Sequence, residues 1–241
     1  MDRKVVVTAS TKGIGYEIIK KFLKDNDEVI LNYAHDDSVL SSIYEELKEF
    51  KGKYFIVKKD LSSPQNIDEF VNEVTGIFPK IDILVLNAGI TNRKSLEDIT
   101  YEEYKKVMDI NLNMPFYLVK KINNSINNSG NIIFMSSVIG IYPHAISIPY
   151  SVSKAGLKML AESLVKVFKI RKIRVNTIAP GFVNTPWQEN KAPEHRKRIE
   201  KKIALERFAL PEEIADLCFY ICENNYINGA TLRIDGGYNM E

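Results

Sequence analysis

The 241-residue chain is 45% apolar and 27% charged, the balance of an ordinary soluble globule with a substantial core. Its 33 basic and 31 acidic residues leave a net charge of +2, which argues against a general nucleic-acid or membrane-binding surface. Met-Asp-Arg-Lys runs straight into VVVTAS, leaving no apolar signal-peptide core, and no apolar run reaches the roughly 18 residues of a membrane span, so a cytoplasmic protein is expected.

Strand-like and helix-like segments alternate along the chain. KVVVT reads as a strand, IGYEIIKKFLK as a helix, EVILN as a strand and SVLSSIYEELKEF as a helix. Strand YFIVK, helix QNIDEFVNEVTGIF and strand IDILVL follow. A helical region over 101–126 comes next, closed by Asn128-Ser129-Gly130. Strand NIIFMS, a helix over 151–168, strand RVNTI, a basic helical segment, helix PEEIADLCFYIC and strand TLRI complete the chain. Strands that are continuous apolar runs belong in a parallel sheet covered on both faces. The expectation is one α/β domain over 1–241, a doubly wound parallel sheet of seven strands in three α/β/α layers, with ligands at the carboxyl ends of the strands. Cys218 and Cys222, four apart in a helical run with only three histidines elsewhere, read as core residues, and no metal site is expected.

Three turns at strand ends are candidates for a dinucleotide. In Thr8-Ala9-Ser10-Thr11-Lys12-Gly13-Ile14-Gly15 two glycines open a helix whose N-terminus can meet a pyrophosphate. Asn87-Ala88-Gly89 offers close backbone approach to a flat ring, and Pro180-Gly181, followed by Thr185, ends the sixth strand. The chemistry centres on Tyr150 and Lys154. Four residues apart on one helix, a phenol and an ammonium point into one pocket, and a nearby cation favours the phenolate. Such a pair works as a general acid or base. Ser137, ending the strand NIIFMSS, places a hydroxyl nearby. In the following helix Leu157, Leu160, Leu164 and Phe168 form the core-facing stripe.

Together these segments resemble the short-chain dehydrogenase/reductase family over nearly the whole chain. TASTKGIG resembles its T-G-x-x-x-G-I-G coenzyme turn, Asp60-Leu61 its adenine-contacting pair, and LNAG its N-N-A-G. Asn111 in DINLN matches a fourth catalytic residue. Ser137, Tyr150 and Lys154 match the catalytic set, with Ser thirteen residues before Tyr. APGFVNT, carrying Pro180, Gly181, Val183 and Thr185, resembles the segment over the nicotinamide, and IDGG the C-terminal signature. The resemblance implies a Rossmann-type sheet ordered 3-2-1-4-5-6-7, a homotetramer, and Tyr150 as proton donor to a ketone receiving hydride. It further implies that Lys154 lowers the tyrosine pKa and holds the nicotinamide ribose, that Ser137 hydrogen-bonds the reacting oxygen, and that Asn111 fixes a helix backbone and a relay water.

The chain departs from the pattern in two places. Ala9 replaces a glycine and is expected to keep a negative φ, because Cβ makes positive φ costly. Leu86 replaces the first Asn of N-N-A-G, a change expected to affect packing more than chemistry. At the end of the second strand Asn32-Tyr33-Ala34 carries no acid to hold a ribose 2′-hydroxyl, and Lys12 adds a cation, so NADP(H) is favoured over NAD(H), with Asp36 and Asp37 as the counter-argument. Substrate choice falls to 139–149 and the segment after Gly181, where Ile139, Ile141, Tyr142, His144 and Trp187 are candidates for a pocket. His144 is also readable as a loop histidine, Trp187 as the anchor of a lid over about 186–204, and Thr185 as a carboxamide ligand or a cap. Residues 191–202 carry six Lys/Arg against two Glu, a solvated face or a flap attracting an anion. The nearest likeness within the family is to 3-oxoacyl-acyl-carrier-protein reductases. Arg171 matches one of their carrier-binding positions, while Asn128 stands at the other. A small carbonyl or alcohol substrate is the alternative.

Overall fold

A computed structural model of the protein describes residues 2–35, 37–143, 147–189 and 191–240. Its single sheet contains β1 (Lys4–Val7), β2 (Glu28–Tyr33), β3 (Tyr54–Lys58), β4 (Ile81–Leu86), β5 (Ile126–Met135), β6 (Arg174–Pro180) and β7 (Thr231–Ile234). All are parallel, in the order β3-β2-β1-β4-β5-β6-β7. β1 shows why the apolar runs read as buried strands. Val5 and Val7 pack on one face against α1 (Gly13–Lys24) and α8 (Pro211–Glu223), and Val6 packs on the other against α3 (Pro64–Ile77), α5 (Met114–Ile122) and α6 (Ile148–Val167). Side chains alternate along a strand, so a sheet sandwiched by helices needs apolar residues at every position. Cys218 and Cys222 are both buried in the α1/α8 layer, as ordinary small core residues. Among the described residues no helix is long and apolar enough to cross a membrane, and no group of His, Cys, Asp and Glu has a metal-binding arrangement.

Local chemistry sets the boundaries. α8 starts at Pro211, and Glu213 accepts from the Leu210 backbone N–H (2.7 Å) while pairing with Arg207, which holds its carboxyl down to about 2. Two sequence-based boundaries move. The helix expected to reach 126 stops at Ile122, and Asn128-Ser129-Gly130 lies inside β5 instead of capping a helix. Ile126 is fully buried and pairs with Ile81, after which the ladder slips, with Ser129 at φ 62. Burial of one isoleucine outweighs the turn signal. The helix that carries Tyr150 and Lys154 starts at Ile148, not 151, with Pro149 in its first turn where a missing N–H costs nothing. Leu157, Leu164 and Phe168 are buried and Leu160 packs beside them, as the stripe predicts.

Candidate active site

The carboxyl ends of β1, β2, β4, β5 and β6 open onto one cleft, and each contributes part of the site. At β1 the turn into α1 is held by its own side chains. Thr8 Oγ1 accepts from the backbone N–H of Asn87 (2.9 Å) and Ala88 (3.1 Å), and Ser10 Oγ donates to Val7 O and accepts from Asn32 N. The Asn87 side chain donates to Thr8 O and Ala9 O, and Asn32 Oδ1 accepts from Ala9 N. Thr8, Ser10, Asn32 and Asn87 thus act as pegs that shape the turn. Asn32 is 2% exposed, so its side chain braces β3 and the turn from beneath.

Ala9 corrects an expectation: its φ is +50. Hydrogen bonds to its N–H and carbonyl leave the backbone no other path, so the turn that glycine ordinarily makes is imposed on an L-residue. Ala9→Gly is expected to stabilise the protein by about 1 kcal/mol, seen as a higher Tm in thermal denaturation, because the left-handed strain disappears. Gly15 has no such latitude. A Cβ there would lie 2.6 Å from Ala9 O and 2.7 Å from Asn87 Nδ2. Gly15→Ala is expected to cost about 2 kcal/mol or more by chemical denaturation and to weaken coenzyme binding at least tenfold by titration.

The side chains expected to be catalytic come from three elements. Ser137 follows β5 and accepts from Ile139 N (3.3 Å). Tyr150 and Lys154 lie on α6, and the Lys154 ammonium stands 5.5 Å from the centre of the Tyr150 ring. Lys154 is 3% exposed; its Nζ donates to Met135 O (2.7 Å), and its own carbonyl accepts from Ser136 Oγ (2.7 Å). Burial with one carbonyl for company pushes its pKa down to about 8. A buried lysine without a carboxylate partner marks a working site. The Tyr150 phenol, by contrast, is pushed up to about 12: burial disfavours the phenolate more than a hydrogen bond from Ser137 and the charge of Arg93 favour it. Lys154 lies over the ring and bonds Met135 O, so its ammonium does not offset that burial.

Asn111 sits in a π-turn (Asp109–Asn113) between α4 (Tyr101–Met108) and α5. Such turns are frequent at functional sites. Its Oδ1 accepts from Ile90 N (2.8 Å), and its Nδ2 donates to Ile90 O (2.8 Å) and Ser153 Oγ (3.0 Å). It thereby pins the segment after β4 to the catalytic helix. Gly89 completes the floor: a Cβ there would lie 3.3 Å from Lys154 Nζ and 3.2 Å from Asn111 Oδ1.

The remaining expected residues divide. Asp60 and Leu61 line a cleft of about 370 Å³ with Tyr33, Ala88 and Gly89, and Asp60 meets His35 at 3.5 Å. Gly181 packs on Asp235, and Pro180 ends β6 paired with Ile234. Thr185 sits against Gly13, whose added Cβ would meet its methyl at 3.2 Å, and its carbonyl accepts from Gln188 N, so it starts the turn Pro186–Gln188. Val183 is buried in the core and bridges Ala209, so it contributes backbone position only. Ile139 and Tyr142 pack against Val138, Ile203 and Phe208, and Tyr142 accepts a hydrogen bond from Arg233, which draws it to the C-terminal strand. Trp187 does reach the catalytic tyrosine, edge-on at 6.1 Å between ring centres. His144 and Asp36 lie outside the described residues. Arg93, Ser136 and Ser153 went unread in the sequence, since a lone arginine or serine has no motif until the fold brings it to the site.

A nicotinamide dinucleotide fits these residues. Gly13 has φ +57, α1 begins with no side-chain cap and no acid in its first turn, and the bare Cα of Gly89 leaves room beside Lys154. A family model described as enoyl-(acyl carrier protein) reductase matches residues 8–239. Glucose 1-dehydrogenase 2 of Bacillus subtilis is 33% identical over 99% of this chain and 95% of its own. A short-chain dehydrogenase/reductase from Serratia marcescens superposes with a TM-score of 0.92 at 25% identity, covering 98% of both chains.

The chain belongs to the short-chain dehydrogenase/reductase family.

As a family member it is an NAD(P)-dependent oxidoreductase. Another short-chain relative, a 3-oxoacyl-[acyl-carrier-protein] reductase of Thermotoga maritima, is 32% identical over 96% of each chain. The 3-2-1-4-5-6-7 strand order expected from the family resemblance is the order observed.

Proposed function

We propose that the protein reduces a ketone to a secondary alcohol with NADPH, a 3-oxoacyl thioester being the preferred substrate class. The observation that carries this is the convergence of Ser137, Tyr150 and Lys154 beside Gly89. A bound nicotinamide supplies the hydride. Ser137 orients the substrate oxygen and stabilises the charge growing there, and Tyr150 gives it the phenolic proton. Lys154, with one N–H on Met135 O, turns its remaining donors to the cleft beside Gly89, where they can hold a ribose hydroxyl. Asn111 keeps the segment after β4 and α6 in register, and Trp187 excludes water from the Tyr150 ring.

Preference for NADPH is supported at β2. Asp37, four residues after Tyr33, accepts from its hydroxyl (2.6 Å) and pairs with Lys58, so its charge is already answered. A carrier-borne substrate draws support from the Thermotoga relative, but Arg171 is committed to Asn123 O, Ile126 O and Asn128 Oδ1, which favours a free thioester over carrier docking at that arginine. The Bacillus relative supports a second reading, a sugar or small alcohol as substrate. Exposed Phe116, Val152, Met159 and Val167 on α5 and α6 support the family's homotetramer, checked by light scattering.

The test is coenzyme oxidation against acetoacetyl thioesters, sugars and simple ketones with NADPH and NADH. The expected result is a kcat/KM at least tenfold higher with NADPH, and with the thioesters above simple ketones. NADH preference rejects the coenzyme assignment, and oxidation of glucose as the fastest reaction rejects the thioester.

A further inference from the structure

Ser136 stands between the end of β5 and Ser137, and its side chain meets α6 at Lys154. It is 6% exposed, and it is anchored on two sides. Its backbone N–H donates to Ile178 O in β6 (2.7 Å), and its Oγ donates to Lys154 O (2.7 Å). Lys154 lies in the interior of α6, where a carbonyl already accepts from the N–H four residues on. The serine bond is therefore an addition to the helix ladder. It ties the peptide of one residue to the sheet.

Two neighbours of Ser136 close on the same lysine. Met135 O, just before it, accepts from Lys154 Nζ (2.7 Å). Gly140, just after Ser137 and its turn, packs on the lysine backbone: a Cβ there would lie 2.7 Å from Lys154 C and 2.8 Å from Ala155 N. Gly140 N also donates to Ser137 O (2.9 Å), which closes the turn Val138–Gly140. The segment that carries Ser137 is thus built onto Lys154 from both sides. A lysine ammonium rides on a flexible four-carbon stem, so its aim depends on where the stem begins and what its far end meets. Met135 O holds the far end and Ser136 the beginning. Alanine would fill nearly the same volume without a buried hydroxyl to satisfy, so what the serine adds is a fixed distance.

We infer that Ser136 is a positioning residue for the reduction: its hydroxyl fixes the Lys154 peptide and so aims the ammonium at the nicotinamide ribose. This rests on the reading of Lys154 as the residue that holds that ribose, and adds the group that directs it. With its hydroxyl spent on Lys154 O, Ser136 acts on the coenzyme only through that neighbour.

The test is a double-mutant cycle read by calorimetric titration. The unaltered protein, Ser136→Ala, Lys154→Met and the double variant are titrated with NADP⁺ and with 2′,5′-ADP, a fragment that lacks the nicotinamide ribose. NAD⁺ and ADP are run beside them, so that coenzyme choice does not decide the outcome. Ser136→Ala is expected to weaken dinucleotide binding about tenfold, to leave the fragment unchanged, and to move the Tm by no more than a few degrees. In the Lys154→Met background the same substitution is expected to change nothing, because the residue through which it acts is gone. Equal losses for dinucleotide and fragment, or a collapse of the fold, assign Ser136 to stability alone and overturn the inference. So does an unchanged dinucleotide affinity, or the same loss repeated in the Lys154→Met background. Failure of the underlying reading is separate: Lys154→Met by itself then binds both dinucleotides as tightly as the unaltered protein.

Discussion

Tyr150→Phe is expected to lower kcat for ketone reduction by about 10²- to 10⁴-fold, the range of a general acid, while the Tm moves by no more than a few degrees. The ring remains to meet Trp187 and to lie beneath Lys154, so only the hydroxyl shared with Ser137 is lost. The pH dependence follows from the phenol standing at about 12. Reduction needs the protonated phenol, which is the dominant form throughout the neutral range, so Tyr150 imposes no loss of rate there. Alcohol oxidation needs the phenolate and is expected to quicken as pH rises. Steady-state rates in both directions, with circular dichroism to verify folding, check the prediction. A variant that keeps its turnover removes Tyr150 from the chemistry.

Lys154→Met is expected to abolish turnover and at the same time to make the protein more stable at pH 7. The lysine's pKa falls from its ordinary 10.5 to about 8 on folding, because the buried ammonium has lost water and gained a single carbonyl. The unfolded chain therefore binds this proton more tightly than the folded one. Below pH 8 burial of the charge costs about 3 kcal/mol, and stability is regained as pH rises from 8 to 10.5. Replacing the ammonium removes that cost but leaves Met135 O without its donor, a loss of about 1–3 kcal/mol. The net gain at pH 7 is about 1 kcal/mol, or a Tm higher by about 2–4 °C. Above pH 10.5 the lysine is neutral in both states, and the variant becomes the less stable protein. Melting curves of both proteins between pH 6 and 11 should cross. Parallel curves would mean that Lys154 carries no buried charge.

This exchange of stability for function explains why the catalytic helix was legible at all. A core position on the same helix face as Leu157 and Ala161 has no structural use for a lysine, so Lys154 four residues after a tyrosine carries chemical meaning. The sheet was legible for a related reason. Strands buried on both faces are largely apolar, and the runs Val5–Val7 of β1 and Ile83–Leu86 of β4 print that requirement directly. Where single residues compete, the sequence misleads. Asn128-Ser129-Gly130 has the composition of a helix stop, yet it lies within β5 because Ile126 before it is buried against Ile81. Ala9 has a side chain that disfavours positive φ, yet the bond from its N–H to Asn32 Oδ1 and the one from Asn87 to its carbonyl hold it at φ +50.

The residue pattern by itself determined the layer order, the glycine turn and the Tyr150–Lys154 pair, because each depends on spacing within one element. Only the folded chain decided that burial pushes the phenol up to about 12, that Asn111 staples Ile90 to Ser153, and that Trp187 stands edge-on to Tyr150. Those are properties of distance and dehydration between separate elements, and neither quantity exists until the elements have packed.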